Sequence, residues 1–362
     1  MSEVATAPSL LGPGGPPRTH IVGAGLIGAS IGLGLKAAGW AVTIADADAK
    51  AQDLARSIGA GDALGEDSPE LVIVAAPPAV TPALVVEALE MWPDAVVTDV
   101  ASVKAPVAAA VAVTGHAERY VGSHPMAGRE LSGSLAAQGD LFRARPWVVC
   151  AGDASPANVE CVIAVARALQ GDVVEMEAAA HDAAVARVSH APQLAASAVA
   201  AALGTLTADD VALAGQGLRD VTRIAASAPG MWADIATLNR EALVATLDHI
   251  IGDLEDVRDA QDIGAAVTDL IDRGRMEVAR IPGKHGGVKR EWTPVTVIVP
   301  DEPGRLLSLM TDVAACGVNI EDLTIEHSPR QPVGLTTIWV LPASADRLAA
   351  SLEDNGWAVA AP

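Results

Sequence analysis

A glycine-rich turn near the start of the chain limits the possible folds more than any other feature. In the segment His20-Ile-Val-Gly23-Ala-Gly25-Leu-Ile-Gly28 the glycines follow a short predicted strand and open an apolar helix, and Asp46 ends the next predicted strand, 23 residues after Gly23. In dinucleotide-binding folds such glycines permit a tight turn, close approach to a pyrophosphate and helix–strand packing, while the acid binds the adenosine ribose. The pattern predicts a Rossmann-type domain that binds NAD. The residues expected to contact the cofactor are Gly23, Gly25, Leu26, Ile27, Gly28, Asp46, Pro77 and Ser102.

The rest of the chain divides by the period of its apolar residues. Short apolar runs alternate with helical ones as far as about residue 175, which indicates an α/β fold with a doubly wound parallel sheet. The chain is then Ala-rich and predicted to be all-helical, and a small α+β domain of βαββαβ order fits its end. The predicted divisions are a flexible tail (1–17), a dinucleotide-binding domain (18–175), a helical substrate and dimerisation domain (176–280), a linker (281–292) and a C-terminal domain (293–362).

A row of apolar residues in the helical part has the spacing of a coiled-coil seam. The intervals between its members are 4, 3, 4 and 3 residues, which places them on one side of a helix. Such a stripe is more often core than cofactor site, and its natural functional interpretation is a homodimer interface. The residues are Leu243, Leu247, Ile250, Leu254 and Val257.

Charge and cysteine content exclude several classes of partner. The formal net charge of −21 argues against nucleic acid and anionic membranes, so an anionic ligand must be held by local arginines. The three cysteines form no CxxC pair, which favours a reducing cytoplasm over disulfides or structural zinc. No apolar run reaches membrane length, and the N-terminus lacks the features of a secretion signal.

Two residues at predicted strand ends are candidates for catalysis. His124 ends an apolar strand and is followed by Pro125, which biases its backbone toward an extended conformation. Ser102 follows another strand, at the edge where open α/β sheets bind ligands. His124 could instead be a structural histidine bonded to backbone, and Ser102 could be a helix N-cap. A histidine opposite a nicotinamide is suited to remove a hydroxyl proton while hydride leaves the neighbouring carbon.

The helical part supplies the other polar candidates. His181 and His190 are nine residues apart, which predicts opposite helix faces, so that one at most faces a site and the two are not a metal pair. Arg219 and Arg223 are four residues apart with apolar neighbours, which suggests a buried fork for a carboxylate, although a solvated ion pair with Asp220 is the simpler alternative. Trp232 is either core or a lid over a ring. No metal site is expected.

Together these motifs resemble those of the prephenate/arogenate dehydrogenases of tyrosine biosynthesis. The resemblance covers about residues 18–280, and the C-terminal part looks like an ACT regulatory domain through Asp301-Glu-Pro303-Gly304-Arg-Leu. The motifs that carry it, in order, are Gly23-x-Gly25-Leu-Ile-Gly28, Asp99-x-x-Ser102-Val-Lys104, His124-Pro-Met-Ala-Gly128, Ser189-His190-x-Pro192, Arg219-Asp-x-Thr-Arg223-Ile-Ala and Met231-Trp232.

The resemblance implies NAD-dependent oxidative decarboxylation of prephenate to 4-hydroxyphenylpyruvate. It implies that His124 is the catalytic histidine at the C4 hydroxyl and that Ser102 hydrogen-bonds both this hydroxyl and His124. It further implies that Arg223 binds a substrate carboxylate. Residues implied to line or gate the substrate pocket are Trp232, His190, Glu130 and Asp220.

Gln193 departs from the family pattern, because many members have histidine there. Glutamine offers no counter-ion to the ammonium of arogenate, so prephenate is the expected substrate, with arogenate dehydrogenase as the alternative. Less favoured alternatives are another NAD(P)-dependent dehydrogenase, such as a β-hydroxyacid dehydrogenase or an imine reductase, and a non-catalytic NAD-sensing regulator.

The C-terminal domain is expected to bind an amino-acid effector, most simply tyrosine, although a purely structural or dimer-forming module is the alternative. Its glycine turn permits close approach of the backbone to an amino acid's charged ends. The residues predicted for this regulatory site are Asp301, Pro303, Gly304 and Asn319.

Overall fold

The computed structural model describes residues 15–128, 133–281, 292–327 and 332–360. Its contacts divide the chain into two compact units, residues 1–252 and 253–362. Among the described residues, no helix combines the length and the apolar character needed to cross a membrane.

The first unit is built on a seven-stranded sheet of order β2-β1-β3-β4-β5-β6-β7. Strands β1 to β5 are parallel, as expected, but β6 is antiparallel to β5 and parallel to β7. The prediction of an all-parallel sheet was therefore wrong for the strand near Trp147. A parallel return needs a long crossover, and the described part of the β5–β6 connection contains only a 3₁₀ turn. The strands are β1 (Thr19–Val22), β2 (Val42–Ala45), β3 (Leu71–Val74), β4 (Val96–Asp99), β5 (Tyr120–Pro125), β6 (Pro146–Cys150) and β7 (Asp172–Glu175).

Helices cover both faces of this sheet, and two apolar clusters form its core. All four residues of β3 are buried, which is typical of a central parallel strand covered on both faces. The covering helices are α1 (Leu26–Ala37), α2 (Ala49–Ser57), α3 (Thr81–Met91), α4 (Ala105–Ala112) and α5 (Pro156–Ala168).

The chain after β7 is helical, as predicted. A π-helical turn at Ala186–His190 interrupts it, and the N–H of Ala191 bonds to the carbonyl of Ala186. Pro192 has no N–H to continue the ordinary ladder, which favours this irregularity. The helices are α6 (Ala178–Val185), α7 (Ala191–Ala202), α8 (Ala208–Val211), α9 (Gln216–Thr222), α10 (Pro229–Leu238) and α11 (Arg240–Asp259).

The second unit contains the end of α11, helix α12 (Ile263–Val278) and a small four-stranded antiparallel sheet of order β11-β8-β10-β9. The predicted βαββαβ order is confirmed. Strand β9 begins at Asp322. The elements are β8 (Thr293–Pro300), α13 (Arg305–Ala315), β9 (Asp322–His327), β10 (Val333–Val340), α14 (Pro342–Asp354) and β11 (Ala358–Val359).

Candidate active site

The carboxyl edge of the parallel strands gathers the residues predicted for cofactor and catalysis. Each candidate lies at or just after the end of a different strand: Asp46 after β2, Gly23 after β1, Pro77 after β3, Ser102 after β4 and His124 on β5. Because these strands are parallel and adjacent in that order, the five residues form one row along the edge. Asp46 and His124 stand at its two ends, as an extended dinucleotide with its reactive ring toward β5 would require.

The glycine turn has the shape of a phosphate cradle. Gly23 has φ +112°, and a Cβ there would lie 2.3 Å from the carbonyl oxygen of Ala75. A Cβ on Gly28 would lie 2.0 Å from the oxygen of Gly23, whereas a Cβ on Gly25 would meet open space. Gly25 is the N-cap of α1, whose first turn has no acidic residue and no side-chain cap. The N–H groups there suit a pyrophosphate.

Asp46 holds the glycine turn and remains suited to bind a ribose. Its carboxylate accepts the N–H of Ala24 at 2.6 Å and that of Asp48 at 2.8 Å. A carboxylate has further acceptor sites for ribose hydroxyls. The nearby Arg56 guanidinium donates to the carbonyl of Ile44 at 2.9 and 3.2 Å, which directs it to backbone. These residues therefore fit NAD.

His124 is one member of a hydrogen-bonded row that the sequence did not reveal. Its Nδ1 lies 2.9 Å from Nε2 of His181, and Nδ1 of His181 lies 2.8 Å from Oδ1 of Asp182. The Asp182 carboxylate also accepts the N–H groups of Lys104 and Ala105, each at 2.8 Å. The side chains of His181 and Asp182 are buried.

Both histidines of the helical segment face this site, so the prediction that one at most does so was wrong. His181 bonds to His124, and His190 lies near enough to affect its protonation. His190 is buried, contacts the Asn239 amide at 3.1 Å and lies edge-on to Trp232, with ring centroids 6.1 Å apart. The helical-wheel argument failed because the π-helical turn between the two histidines changes their relative rotation.

The surroundings of His124 keep its ring neutral. Burial first, then the neighbouring groups His181, Lys104 and His190, lower the pKa of His124 well below 6.5. An imidazole that is neutral near pH 7 has a lone pair to accept a proton. The arrangement is therefore suited to general-base chemistry.

Lys104 belongs to a second buried polar group beside the histidines. Its ammonium pairs with Asp99, and both side chains are fully buried. Asp99 also accepts the Tyr120 hydroxyl at 2.7 Å and the Ala101 N–H at 3.0 Å. Burial and the Asp99 carboxylate raise the pKa of Tyr120 well above 10. These bonds fix the segment between β4 and α4 that carries Ser102.

Ser102 is not a helix N-cap. Helix α4 begins at Ala105, and Asp182 takes the N–H groups of Lys104 and Ala105. Ser102 is half-buried, and within the described part of the chain its hydroxyl has no recorded hydrogen-bond partner. The capping alternative is thereby removed, and the hydroxyl is available to a ligand.

The arginine motif differs from its predicted geometry. Helix α9 ends at Thr222 and Arg223 begins a 3₁₀ turn, so Arg219 and Arg223 do not share one regular helix. Both side chains are exposed in the single chain, so the expected buried fork was wrong. Asp220 is also exposed and accepts from the Gln216 amide at 2.8 Å.

Gln193 is buried and bonds to the turn that Arg223 begins. Its Nε2 donates to the carbonyl of Ile224 at 2.9 Å, and the Ser227 hydroxyl lies 3.4 Å from its Oε1. Gln193 therefore stabilises the segment that carries Arg223. Glu130, predicted to gate the pocket, lies outside the described residues.

In the second unit, the predicted regulatory residues occupy the start of α13 and the approach to β9. Gly304 is the N-cap of α13 with φ +87°, and a Cβ there would meet open space. The Asp301 N–H donates to the carbonyl of Pro332 at 2.8 Å. The Asn319 amide donates to Glu321 at 3.0 Å, within its own segment. Nowhere in the described ranges do three or more side chains form a group that could hold a metal ion.

Comparison with known proteins agrees with this geometry. Residues 31–175 match the family model for the prephenate dehydrogenase nucleotide-binding domain, and residues 177–264 match the prephenate dehydrogenase dimerization domain. The curated protein "Probable prephenate dehydrogenase NovF" of Streptomyces niveus is 31% identical over 93% of this chain and 98% of its own length.

Two solved structures extend the comparison. Prephenate dehydrogenase from Aquifex aeolicus, in complex with hydroxyphenyl propionate and NAD+, is 27% identical with a TM-score of 0.63, covering 72% of this chain and 97% of that one. Synechocystis arogenate dehydrogenase is 25% identical with a TM-score of 0.59, covering 71% and 99%.

Proposed function

The chain belongs to the prephenate dehydrogenase family, and we propose that His124, Ser102 and Arg223 perform its reaction. That reaction is the NAD-dependent oxidative decarboxylation of prephenate to 4-hydroxyphenylpyruvate and CO2. NAD+, when bound, accepts the hydride from ring carbon C4. The observation that carries the assignment is the position of a neutral His124 in one row with the glycine turn and Ser102.

His124 acts first as a base and then as an acid. Its unprotonated ring nitrogen takes the proton of the C4 hydroxyl as the C4–H bond breaks, leaving a ketone. Loss of the ring carboxylate as CO2 returns the C–C bonding electrons to the ring, and the resulting phenolate recovers its proton from His124. Ser102 hydrogen-bonds the hydroxyl and orients it toward His124. Proton count and charge then balance over the whole reaction.

The glycine turn would hold the pyrophosphate of the cofactor, and Asp46 would hold its adenosine ribose. The residues that would bind the pyrophosphate are Gly23, Gly25 and Gly28, with Leu26 and Ile27 in the first turn of α1. Asp46 accepts from the ribose hydroxyls. Pro77 and Ser102 line the side of the cofactor nearer to His124.

Arg223 binds a carboxylate of prephenate through a charge-assisted hydrogen bond. Gln193 holds the turn that presents it, and His190 with Trp232 forms the wall of the substrate pocket. Asp220 and Glu130 have the gating role that the resemblance implies. Prephenate is preferred to arogenate, because Gln193 provides no negative charge for an ammonium.

The helical domain forms the contact between two copies of the chain. Part of this region matches the family's dimerization domain. On α11 the apolar seam is buried at Leu243 and exposed at Leu254, so a single chain covers only part of it. A homodimer that packs these seams together would cover the rest.

The remaining assignments rest on sequence features alone. The C-terminal domain binds an aromatic amino acid, most simply tyrosine, through the turn at Asp301, Pro303 and Gly304 and through Asn319. The three free cysteines suit a cytoplasmic location.

The experiment that tests the activity combines the purified chain with prephenate and NAD+ and follows NADH absorbance. NADH formed together with 4-hydroxyphenylpyruvate is the expected result, and loss of both with His124→Asn ties the reaction to this site. Arogenate replaces prephenate in a parallel assay. If NADH forms with neither prephenate nor arogenate, the result instead favours another dehydrogenase or a non-catalytic regulator.

A further inference from the structure

The Asp182–His181–His124 row has hydrogen-bond donors and acceptors in a fixed order. A carboxylate only accepts, and Asp182 already holds the N–H groups of Lys104 and Ala105. The His181 Nδ1 that lies 2.8 Å from Asp182 must therefore carry the hydrogen. A neutral imidazole has one N–H, so Nε2 of His181 has a lone pair and accepts.

The same logic sets the protonation of His124. Because Nε2 of His181 accepts, the His124 Nδ1 that lies 2.9 Å from it must donate. The single hydrogen of neutral His124 is then on Nδ1, and the lone pair is on Nε2. The hydrogen bonds thus determine which nitrogen of His124 is basic.

We propose that His181 and Asp182 are positioning residues that hold His124 as the Nδ1–H tautomer and stabilise the positive charge it gains in the reaction. This rests on the proposed role of His124 as the base. The C4 hydroxyl proton moves to Nε2, while the electrons of the O–H bond remain on oxygen. The proton returns to the phenolate oxygen after CO2 leaves. Between these steps, protonated His124 donates through Nδ1 to His181, and the charge is balanced by Asp182.

The charges around His124 explain why such support is needed. Burial removes water that would solvate a positive charge on its ring, and Lys104, together with any proton gained by His181 or His190, opposes that charge. Asp99 is occupied by Lys104, Tyr120 and the Ala101 N–H. Asp182, acting through His181, is the carboxylate whose hydrogen bonds connect it to the base.

Asp182→Asn is the first test. Oδ1 of Asp182 accepts from both His181 and the Lys104 N–H, whereas Oδ2 accepts from the Ala105 N–H. The amide oxygen of asparagine keeps both bonds of Oδ1 when it takes that position, so the variant retains an acceptor for His181 and loses the negative charge that balances protonated His124. We expect kcat to fall roughly 10²–10⁴-fold, the range of general acid–base catalysis. KM for prephenate and Kd for NAD+ should stay within about threefold, since each lost contact is remote from both ligands.

A pair of substitutions at His181 separates positioning from packing. The glutamine of His181→Gln has an amide oxygen that can accept the Nδ1–H of His124. The leucine of His181→Leu fills the space without offering an acceptor. We expect the glutamine variant to keep at least about tenfold more kcat than the leucine variant. His20→Gln is the matched control, because His20 is also a buried histidine of this sheet, bonded to Thr43 at 2.8 Å. Its kcat should equal that of the unmodified enzyme.

Nitrogen-15 NMR of the ligand-free enzyme supplies a readout independent of activity. The His124 ring should show the Nδ1–H tautomer in the unmodified enzyme, and Asp182→Asn, which keeps an acceptor for His181, should leave that tautomer unchanged while kcat falls. An Nε2–H tautomer in the unmodified enzyme, or equal kcat for the two His181 variants, overturns the proposal, even where Asp182→Asn does not fold. Full activity of His124→Asn would instead show that the assigned base is wrong, which is a failure of the proposed function.

Discussion

The side-chain amide of Gln193 donates to the backbone carbonyl of Ile224 across 2.9 Å and so links helix α7 to the 3₁₀ turn that Arg223 begins. Because Ile224 follows Arg223, this bond fixes the turn that presents the guanidinium. Gln193→Glu replaces the donor with a carboxylate that faces a carbonyl. Instead of only altering the choice between prephenate and arogenate, this change should disturb the binding of both.

We therefore expect Gln193→Glu to raise KM for prephenate by fivefold or more, about the value of one neutral hydrogen bond, while KM for NAD+ is unchanged. Gln193→His, which keeps an N–H donor, should stay closer to the unmodified enzyme. Steady-state kinetics with prephenate and with arogenate measure both effects. A Gln193→Glu enzyme that gains arogenate activity without losing prephenate binding would show that Gln193 contacts substrate directly.

The pH dependence of the reaction should reflect the lowered pKa of His124. The base works when neutral, that is, above its pKa, and burial with the neighbouring His181, Lys104 and His190 lowers that pKa well below 6.5. The acid limb of kcat/KM should therefore lie well below pH 6.5. An unperturbed histidine would place it near 6.5.

His124→Asn should lose roughly 10²–10⁴ in kcat and abolish this acid limb, while calorimetry shows unchanged NAD+ binding. The matched control is His20→Gln, which leaves the profile in place. If the acid limb of the unmodified enzyme were near pH 6.5 or above, a different group would be the base, and it would not be His190, because burial lowers the pKa of His190 from 6.5 to about 4.

The sequence predicted the parts of the site that depend on local spacing. The interval between Gly23 and Asp46 and the strand-end position of His124 are properties of short segments, and both persist in the structure. Asp182 was missed as a functional residue because its bonds are not local: His181 is 57 residues from His124, and Asp182 is 78 residues from Lys104. No periodicity within one helix encodes such pairings.

Other errors came from regular geometry that the chain does not follow. The helical-wheel argument that placed His181 and His190 on opposite faces assumed an uninterrupted α-helix, but the turn before Pro192 is π-helical. The parallel direction assumed for the strand near Trp147 depends on its connection, and alternating apolar residues do not encode strand direction. Because its sequence neighbours are apolar, Arg223 was expected to be buried, but helix α9 ends just before it.

The preference for NAD+ over NADP+ should depend on the charge of Asp46. A 2′-phosphate would face this carboxylate, and the guanidinium of Arg56, which with Lys50 is a cation nearby in sequence, is bonded to the carbonyl of Ile44. Asp46→Asn keeps an oxygen acceptor for the Ala24 N–H, so the glycine turn should persist. We expect this variant to lower the ratio of kcat/KM for NAD+ to that for NADP+ by about tenfold or more, one lost charge–charge interaction. A ratio that favours NADP+ in the unmodified enzyme would contradict the assignment.

Mild acid should destabilise the first unit through His20. Burial, with a smaller contribution from Arg56, lowers the pKa of His20 from 6.5 to about 4. Between these values the unfolded chain binds the proton and the folded chain does not, so stability falls as pH decreases from 6.5 toward 4. The difference corresponds to about 3 kcal/mol at most. Urea unfolding at pH 7 and pH 5 should show a smaller loss for His20→Gln than for the unmodified chain; equal losses would assign the effect to other groups.

The glycine turn of the C-terminal domain provides the test of regulation. Gly304 has φ +87° at the start of α13, and Gly356 has φ +84° beyond α14 in the same small domain, each with open space where a Cβ would lie. Alanine at either position costs a similar backbone strain of about 1–2 kcal/mol, so the pair separates local from general effects.

Calorimetry of the full chain should detect tyrosine binding that Gly304→Ala weakens by about tenfold and Gly356→Ala does not. Binding alone does not establish allostery, because an effector shifts activity only through different affinities for two states. The same three proteins are therefore assayed with prephenate and NAD+ over a tyrosine series. Inhibition lost in Gly304→Ala and kept in Gly356→Ala supports regulation through this turn. If no aromatic amino acid binds the full chain or changes its rate, the domain is a structural module and the effector assignment is wrong.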